Sequence, residues 1–443
     1  MFVVSGIASW LLPGRRATWI GAGGAVAGCA LGLVPALRVL LLRAPESLRL
    51  PWSVPLASFS LGIDPLSAFF LLPTFGLSAL AAIYGAGYLR ADAAEGRGRG
   101  AWLWFNLLVA SMAMVTAARN GMLFLFAWEI MTLASFFLVT LRHDQPDARR
   151  AGRIYLVATH VGTAFLFVFF LALSGASGSL DFDPVERGAV APFLAPGSLF
   201  LLAVAGFGTK AGFMPFHMWL PEAHPAAPAH VSAVMSGVMI KMGIYGLLRT
   251  IPLLGPPPAW WGWLLLSVGL VSGILGVLYA LAQRDLKRLL AYSSIENVGI
   301  ISCGLGVGWI GVAHSVPFLA ALGFAGALLH VLNHAVFKGL LFLGAGSVIH
   351  GAGTGEIERL GGLLRRMPWT GAAFLMGAAA ITGLPPLNGF LGEFLIYLGS
   401  FRAAAVASRE VALPGFVLIA GLGLIGGFAA VCFVRAFAIA FLG

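Results

Sequence analysis

Glu129, Lys210, Lys241, His330, His334, Lys338 and Glu393 are ionisable side chains set in stretches apolar enough to lie inside a lipid bilayer. A charge at that depth costs at least about 2.5–3.5 kcal/mol, so it is retained where it has a partner or a task. The chain holds 23 arginines but only four lysines: Lys210, Lys241, Lys287 and Lys338. Three of the four fall within apolar spans, whereas the arginines, Arg435 apart, gather in connections or at span ends. Arginine stays protonated under nearly any condition, while a desolvated lysine can exchange its proton. The chemistry these residues could do together is proton transfer.

Glu129 lies in LFLFAWEIMTLASFFLV, with no other ionisable residue between Arg119 and Arg142. About ten residues from either end, at about 1.5 Å per residue, puts it near mid-membrane. Its carboxyl could be kept neutral by a local hydroxyl such as Thr132, or it could pair with a lysine. Lys210 is the natural partner, because a nearby negative charge holds the lysine proton and its withdrawal releases it. Lys241, in VSAVMSGVMIKMGIYGLLR, follows the small residues Ser232, Ser236 and Gly237, which permit close helix contact. Roughly ten residues separate it from an interface, too far for easy snorkelling. His330, His334 and Lys338 occur at i, i+4 and i+8, drifting only about 40° per step, so they share one helix stripe. Two histidines at that spacing could ligate a metal, but no Cys or Asp accompanies them and the lysine would repel the ion. A proton wire fits better, since imidazole both accepts and donates near neutral pH.

Glu393, in FLGEFLIYLGSF, is the last intramembrane carboxyl and reads as a terminal gate to the outer side. Glu296, in AYSSIENVG, is expected nearer the cytoplasmic end of its span, as a proton inlet or an interfacial residue. His217, Glu222, His224 and His230 surround a proline-rich interruption at Pro215, where they could feed protons or satisfy freed backbone groups. Asp64, opening GIDPLSAFF, reads as a helix cap.

The elements that must hold these residues are membrane helices. With 443 residues, 59% hydrophobic and 10% charged content, the chain is an all-α polytopic membrane protein rather than a soluble one. A net charge of +10 would suggest a nucleic-acid partner in a soluble chain, but here the arginines border spans, so the lipid bilayer is the expected surroundings and no nucleic acid is. Cys29, Cys303 and Cys432 each stand alone in an apolar segment, which gives no locally encoded iron–sulfur or zinc site. No cofactor is expected on this chain, and electrons would be carried by other subunits.

Twelve apolar runs are readable, at 17–42, 63–88, 101–118, 120–141, 153–173, 199–219, 228–250, 262–282, 289–308, 314–349, 371–400 and 415–442. An apolar stub at 1–12 makes about 13 spans; it lacks a basic leader and a cleavage site, so it is not expected to be a signal peptide. The longest polar connections, 43–62, 174–198 and 350–370, are too short to fold alone, so 1–443 is expected to form a single membrane domain. Alternate connections carry fifteen and eight basic residues, which predicts that the richer side is cytoplasmic and the N-terminus outside. The seventh span breaks near Pro215 after Lys210, and the twelfth breaks at LPPLNG before Glu393. Broken spans five apart have opposite orientation, which predicts two inverted five-helix repeats, about 101–250 and 262–442, with the ion site at the breaks.

The passages WEIMTLASFFLV, TKAGFMPFHMWLPEAHPAAPAHVSAVMSGVMIKMGIYGLLR, QRDLKRLLAYSSIENVG, HVLNHAVFKGLLFLGAGSVIH and ITGLPPLNGFLGEF resemble the antiporter-like membrane subunits of respiratory complex I, multi-subunit cation/proton antiporters and energy-converting hydrogenases. Within that superfamily, PEAHPAAP, VSAVMSGVMIKMGIYG and YSSIENVG look most like the large membrane subunit of the hydrogenase-4 and formate hydrogenlyase branch. The resemblance implies a fourteen-helix fold, of which this chain starts partway into the first helix and stops before the last. It also implies a proton route through Glu129, Lys210, Lys241, His330, His334 and Lys338 with an exit at Glu393, a position that is lysine in some relatives.

The function expected is that of a proton-translocating subunit, without a redox centre of its own, of a membrane oxidoreductase complex in the cytoplasmic (inner) membrane of a prokaryote. Its expected partners are other membrane subunits and a peripheral redox arm of nickel–iron hydrogenase type with iron–sulfur proteins. Two rival readings are a subunit of a sodium/proton antiporter and a passive structural membrane subunit.

Overall fold

Inside a bilayer the backbone can satisfy its own N–H and C=O groups only by bonding within the segment, so the apolar runs form helices. The computed structural model describes residues 1–54, 57–90, 98–175, 179–182, 193–406 and 408–443. Over these residues the helices are α1 (Phe2–Leu11), α2 (Gly14–Leu42), α3 (Pro65–Tyr88), α4 (Gly98–Ala117), α5 (Gly121–Val139), α6 (Pro146–Ser174), α7 (Pro196–Ala211) and α8 (Leu220–Ala226). They continue as α9 (Ala229–Leu254), α10 (Ala259–Leu281), α11 (Leu286–Ala313), α12 (Pro317–Ala352), α13 (Pro368–Ile381), α14 (Asn388–Val406) and α15 (Arg409–Phe437). Among the described residues ten helices are long and apolar enough to cross a membrane, and α1 and α13 are shorter apolar helices.

The helix starts follow local chemistry. Asp64 caps α3 by accepting from the Ser67 N–H at 2.9 Å, with Pro65 in the first turn, as its position in the sequence predicts. Asn120 caps α5, accepting from Met122 N–H at 2.9 Å, and this fixes the register that carries Glu129. The helix expected at 153–173 begins earlier, at Pro146, because Arg149, Arg150 and Arg153 ride on its first turns with their charged ends turned outward. One element was not anticipated: the connection at 43–62 holds an antiparallel pair, β1 (Glu46–Leu50) with β2 (Phe59–Ile63), in the register Glu46↔Ile63 to Leu50↔Phe59.

Both expected breaks are present. After α7 the chain is non-helical over 212–219 and resumes as α8; after α13 it is non-helical over 382–387 and resumes as α14. Each break opens with a glycine at positive φ, Gly212 at 89° and Gly383 at 67°, a conformation that costs other residues about 1–2 kcal/mol. The Met214–Pro215 and Pro385–Pro386 bonds within them are cis. The four prolines of the first break have separate places: Pro215 in the non-helical stretch, Pro221 in the first turn of α8, Pro225 inside α8 and Pro228 capping α9.

Contacts divide the chain into two compact units: Met1–Lys210 with Ala226–Gly255, and Ala211–Pro225 with Pro256–Gly443. The first holds the N-terminal helices, the β-pair and most of the first expected repeat; the second holds the other repeat together with the first break. In the first unit α6 and α7 cross where a Cβ on Gly162 would lie 2.8 Å from Thr209 Cβ, so the crossing that carries Lys210 depends on small residues. In the second, α10 and α11 touch backbone to backbone: a Cβ on Gly299 would meet Gly269 O and Gly273 N at 2.5 Å. Leu266, Ile300, Cys303, Ile396 and Leu418 form part of the apolar core alongside.

Candidate functional site

In the first unit, Lys210 ends α7 and is 1% exposed. Its ammonium donates to Thr132 Oγ1 at 2.8 Å and reaches Tyr155 OH at 3.5 Å, with the Trp128 and Tyr155 ring centroids at 5.4 and 5.6 Å. Thr132 Oγ1 in turn donates to Trp128 O at 3.0 Å, leaving its lone pairs for the lysine. The direct ion pair with Glu129 expected from the sequence is therefore replaced by a hydroxyl. Thr132 stands one turn beyond Glu129 on α5, and a neutral acceptor holds a buried ammonium without the added desolvation of a second charge. Glu129 still acts on Lys210 through space.

Glu129 itself is oriented by a residue the sequence reading missed. Its Oε2 lies 3.4 Å from His160 Nε2 on α6, with the side chains 26% and 48% exposed, while its Oε1 is buried. The other ring nitrogen of His160 lies 2.9 Å from Leu156 O. Phe126, Ile130, Val157 and Val161 are exposed on the same two helices, so His160 interrupts an apolar outer surface. A lone histidine in YLVATHVGTAF was the available signal, since any ionisable residue inside a span is a functional candidate.

Lys241 is also 1% exposed, which removes the snorkelling alternative. It follows a π-helical turn at Met235–Met239, and its ammonium donates to the carbonyl oxygen of Ser236 within that turn. Such turns leave carbonyls outside the regular ladder and recur at functional sites. Ser135 on α5, one turn past Thr132, donates to Met239 Sδ at 3.0 Å. Thr132 and Ser135 thus line one face of α5 between the lysine of α7 and the π turn of α9, and Tyr155 hydrogen-bonds with both. His230 sits at the start of α9 among the rings of Tyr88, Trp102 and Phe105.

At the end of α9, Arg249 grips Asp64 with two bonds of 2.6 and 2.7 Å, and Arg119 lies 3.4 Å from the same carboxylate. Burial opposes ionisation of Asp64, yet the hydrogen bonds and charge of Arg249, the Ser67 N–H and Arg119 outweigh it and hold the carboxyl well below the usual carboxylate range.

The second unit repeats the lysine setting. Lys338 on α12 is fully buried; its ammonium donates to Leu290 O at 2.8 Å and to Ser293 Oγ at 2.5 Å, both on α11. On the same stripe His330 contacts Asn297 Oδ1 at 3.0 Å through Nε2, and Asn297 Nδ2 donates to Ser293 O at 2.9 Å. Because the amide nitrogen is committed to Ser293 O, Oδ1 is the acceptor and His330 carries its proton on Nε2. That nitrogen is then not offered to a metal. His334 lies edge-on to Phe337, with centroids 5.3 Å apart.

Glu393 lies in the second turn of the helix beyond the second break, its Oε2 3.1 Å from where a Cβ on Gly383 would sit. The break is tied to α12 by Asn333 Nδ2 donating to Asn388 O at 2.6 Å and Asn388 Nδ2 donating to Asn333 O at 3.3 Å. Asn333 lies between the two stripe histidines, so one side-chain pair positions Glu393 relative to both. Ser293, Asn297, Asn333 and Asn388 were not singled out from the sequence.

Glu296 lies ten residues into α11 and is 1% exposed, enclosed by neighbouring helices. Beside the first break, Glu222 pairs with Arg288 at 2.7 Å, while Lys287 donates to Pro225 O at 3.1 Å; together they pin α8 to the start of α11. Of the other residues near that break, His224 stacks on Phe342 at 5.1 Å and His217 faces Tyr292 at 6.5 Å.

Broken helices, buried lysines on hydroxyls and an intramembrane histidine stripe define an antiporter-like membrane subunit. Residues 118–412 match the family of NADH:quinone oxidoreductase and Mrp antiporter transmembrane subunits, and the chain belongs to that family. It is 44% identical over 391 residues to hydrogenase-4 component B of Escherichia coli, covering 87% of this chain and 58% of that protein's length. Formate hydrogenlyase subunit 3 of the same organism is 35% identical over 100% of this chain and 70% of its own. The fold matches a chain of the membrane-bound sulfane sulfur reductase, an archaeal respiratory membrane complex, with a TM-score of 0.81 and 26% identity, covering 100% of this chain and 69% of that one.

Proposed function

We propose that this chain is the proton-translocating subunit of a membrane oxidoreductase complex of hydrogenase-4 or formate hydrogenlyase type, whose partner subunits supply the redox energy. The observation that carries the reading is that Lys210 and Lys338 are both buried and both held by a hydroxyl rather than by a carboxylate. A lysine held by neutral oxygens can lose its proton without stranding a buried anion at the contact, which suits a carrier better than a structural ion pair. In the first unit the carriers are Glu129, Lys210 and Lys241. In the second they are His330, His334 and Lys338, with Glu393 as outlet. Each pKa unit by which one group's charge shifts the next is about 1.36 kcal/mol, so modest couplings move a proton stepwise. His217 and His224 are proposed as feeders near the first break, with Glu222 as the anchor that holds them in place.

The partners on this reading are other membrane subunits and a peripheral redox arm bearing nickel–iron and iron–sulfur centres, in the inner membrane of a prokaryote. The family resemblance supports this, and so does the kind of complex to which the named relatives belong. Membership of a family that includes Mrp antiporters keeps sodium/proton exchange as the second reading. The test is proton uptake by proteoliposomes containing the intact complex. Lys210→Ala should abolish the gradient while redox turnover by the partners continues. A full gradient from that variant overturns the relay, and a gradient that follows imposed sodium without redox turnover favours the antiporter.

A further inference from the structure

Glu296 is buried at 1% exposure, and neither of its carboxylate oxygens has a hydrogen-bond partner among the described residues. A buried carboxyl left without donors is costly, so it calls for a role. Its place in the second unit supplies one. Helices α11 and α12 pair in antiparallel register: Lys338 is held at Leu290 and Ser293, and His330 at Asn297. Glu296 lies on the turn between Ser293 and Asn297, within the height spanned by the Lys338 and His330 contacts. Gly392 of α14 packs against His330, where an added Cβ would come within 2.9 Å of His330 Cβ, and the next residue on that helix is Glu393. The charges that act on Glu296 across the interior include Lys338 and Glu393, and Cys432 of α15 is a further titratable group that feels Glu296, besides His330 and His334 on the α12 stripe.

We propose that Glu296 is a proton-carrying residue of the second unit, standing between Lys338 and Glu393. The step it performs is proton transfer alone. An N–H bond of the Lys338 ammonium breaks as an O–H bond forms on Glu296, leaving a neutral amine and a carboxylic acid. The acid then gives its proton to the Glu393 carboxylate and is ready again. No net buried charge is created in the first step, because ammonium and carboxylate neutralise together. On the flanking turns of α11, Ser293 and Asn297 are engaged in holding Lys338 and His330.

The inference rests on the pumping role proposed above, and the experiment separates the two. The intact complex is prepared with Glu296→Gln, Glu296→Asp, Lys338→Ala and Lys210→Ala, and proton uptake and redox turnover are read in the same proteoliposomes. Glu296→Gln should lower protons moved per turnover by at least about tenfold, and Glu296→Asp should restore part of it. Infrared difference spectra during turnover should show a buried carboxylic-acid carbonyl band that Glu296→Gln removes, a change that a merely structural role would not produce. Full pumping by Glu296→Gln where Lys338→Ala has lost it, or the same carboxyl band in Glu296→Gln, overturns the role of Glu296 alone. Full pumping by Lys210→Ala overturns the broader reading instead.

Discussion

Replacing Thr132 with valine tests the hydroxyl cradle of Lys210. The substitution keeps size and branching but deletes the acceptor 2.8 Å from the ammonium. A hydrogen bond to a charged group is worth about 1.5–3 kcal/mol, and the site is buried, so bulk water does not replace the loss. The 3.5 Å contact with Tyr155 OH is too long to compensate. At about 1.4 kcal/mol per factor of ten, the population of charged Lys210 should fall about tenfold to hundredfold relative to the neutral amine. If that population limits transport, proton uptake by proteoliposomes should drop by a similar factor. Thr132→Ser, which retains the hydroxyl, should stay within about threefold of wild type, because serine costs only a methyl group's packing. Thermal unfolding of both variants in detergent checks that the fold survives. Wild-type pumping by Thr132→Val, with Lys210→Ala inactive, would refute the idea that the hydroxyl sets the lysine's charge.

Other expectations follow from the same geometry. Asp64→Asn should cost about 1 kcal/mol of stability, discounted for its partial exposure. Because the folded carboxyl is held below its unfolded value near 3.9, the contribution is fully present at neutral pH and fades only as pH falls below about 4, so wild type and variant should converge in acid unfolding scans. Gly299→Val should force α10 and α11 apart at a backbone contact and cost more than the usual overpacking loss of about 1–3 kcal/mol, seen as failure to accumulate folded protein in membranes. The exchange Glu222→Arg with Arg288→Glu should recover the pumping that either single change loses; a double variant that assembles but cannot pump would mean that Glu222 itself carries protons.

The architecture was legible because hydropathy, proline and glycine speak directly to the backbone. The spans, both breaks and the Asp64 cap follow from local rules that packing does not overturn. The buried lysines were legible for a related reason, since the chain otherwise confines its basic residues to span ends. The partners of those lysines were not. Thr132 and Ser293 become ligands only because α5 and α11 turn those hydroxyls toward another helix, and no spacing within one segment encodes that. The enclosure of Glu296 was not legible either, because it comes from the helices packed around α11 rather than from its own segment. The ion pair of Glu222 was hidden because it joins positions far apart in sequence, 222 and 288.

The most direct measurement is the number of protons moved per redox turnover by the intact complex when Lys210 and Lys338 are replaced, one at a time, by methionine, which preserves most of the side chain's bulk without its charge. The relay predicts that each replacement lowers this ratio toward zero while turnover of the redox partners continues. An unchanged ratio with either lysine replaced would contradict it.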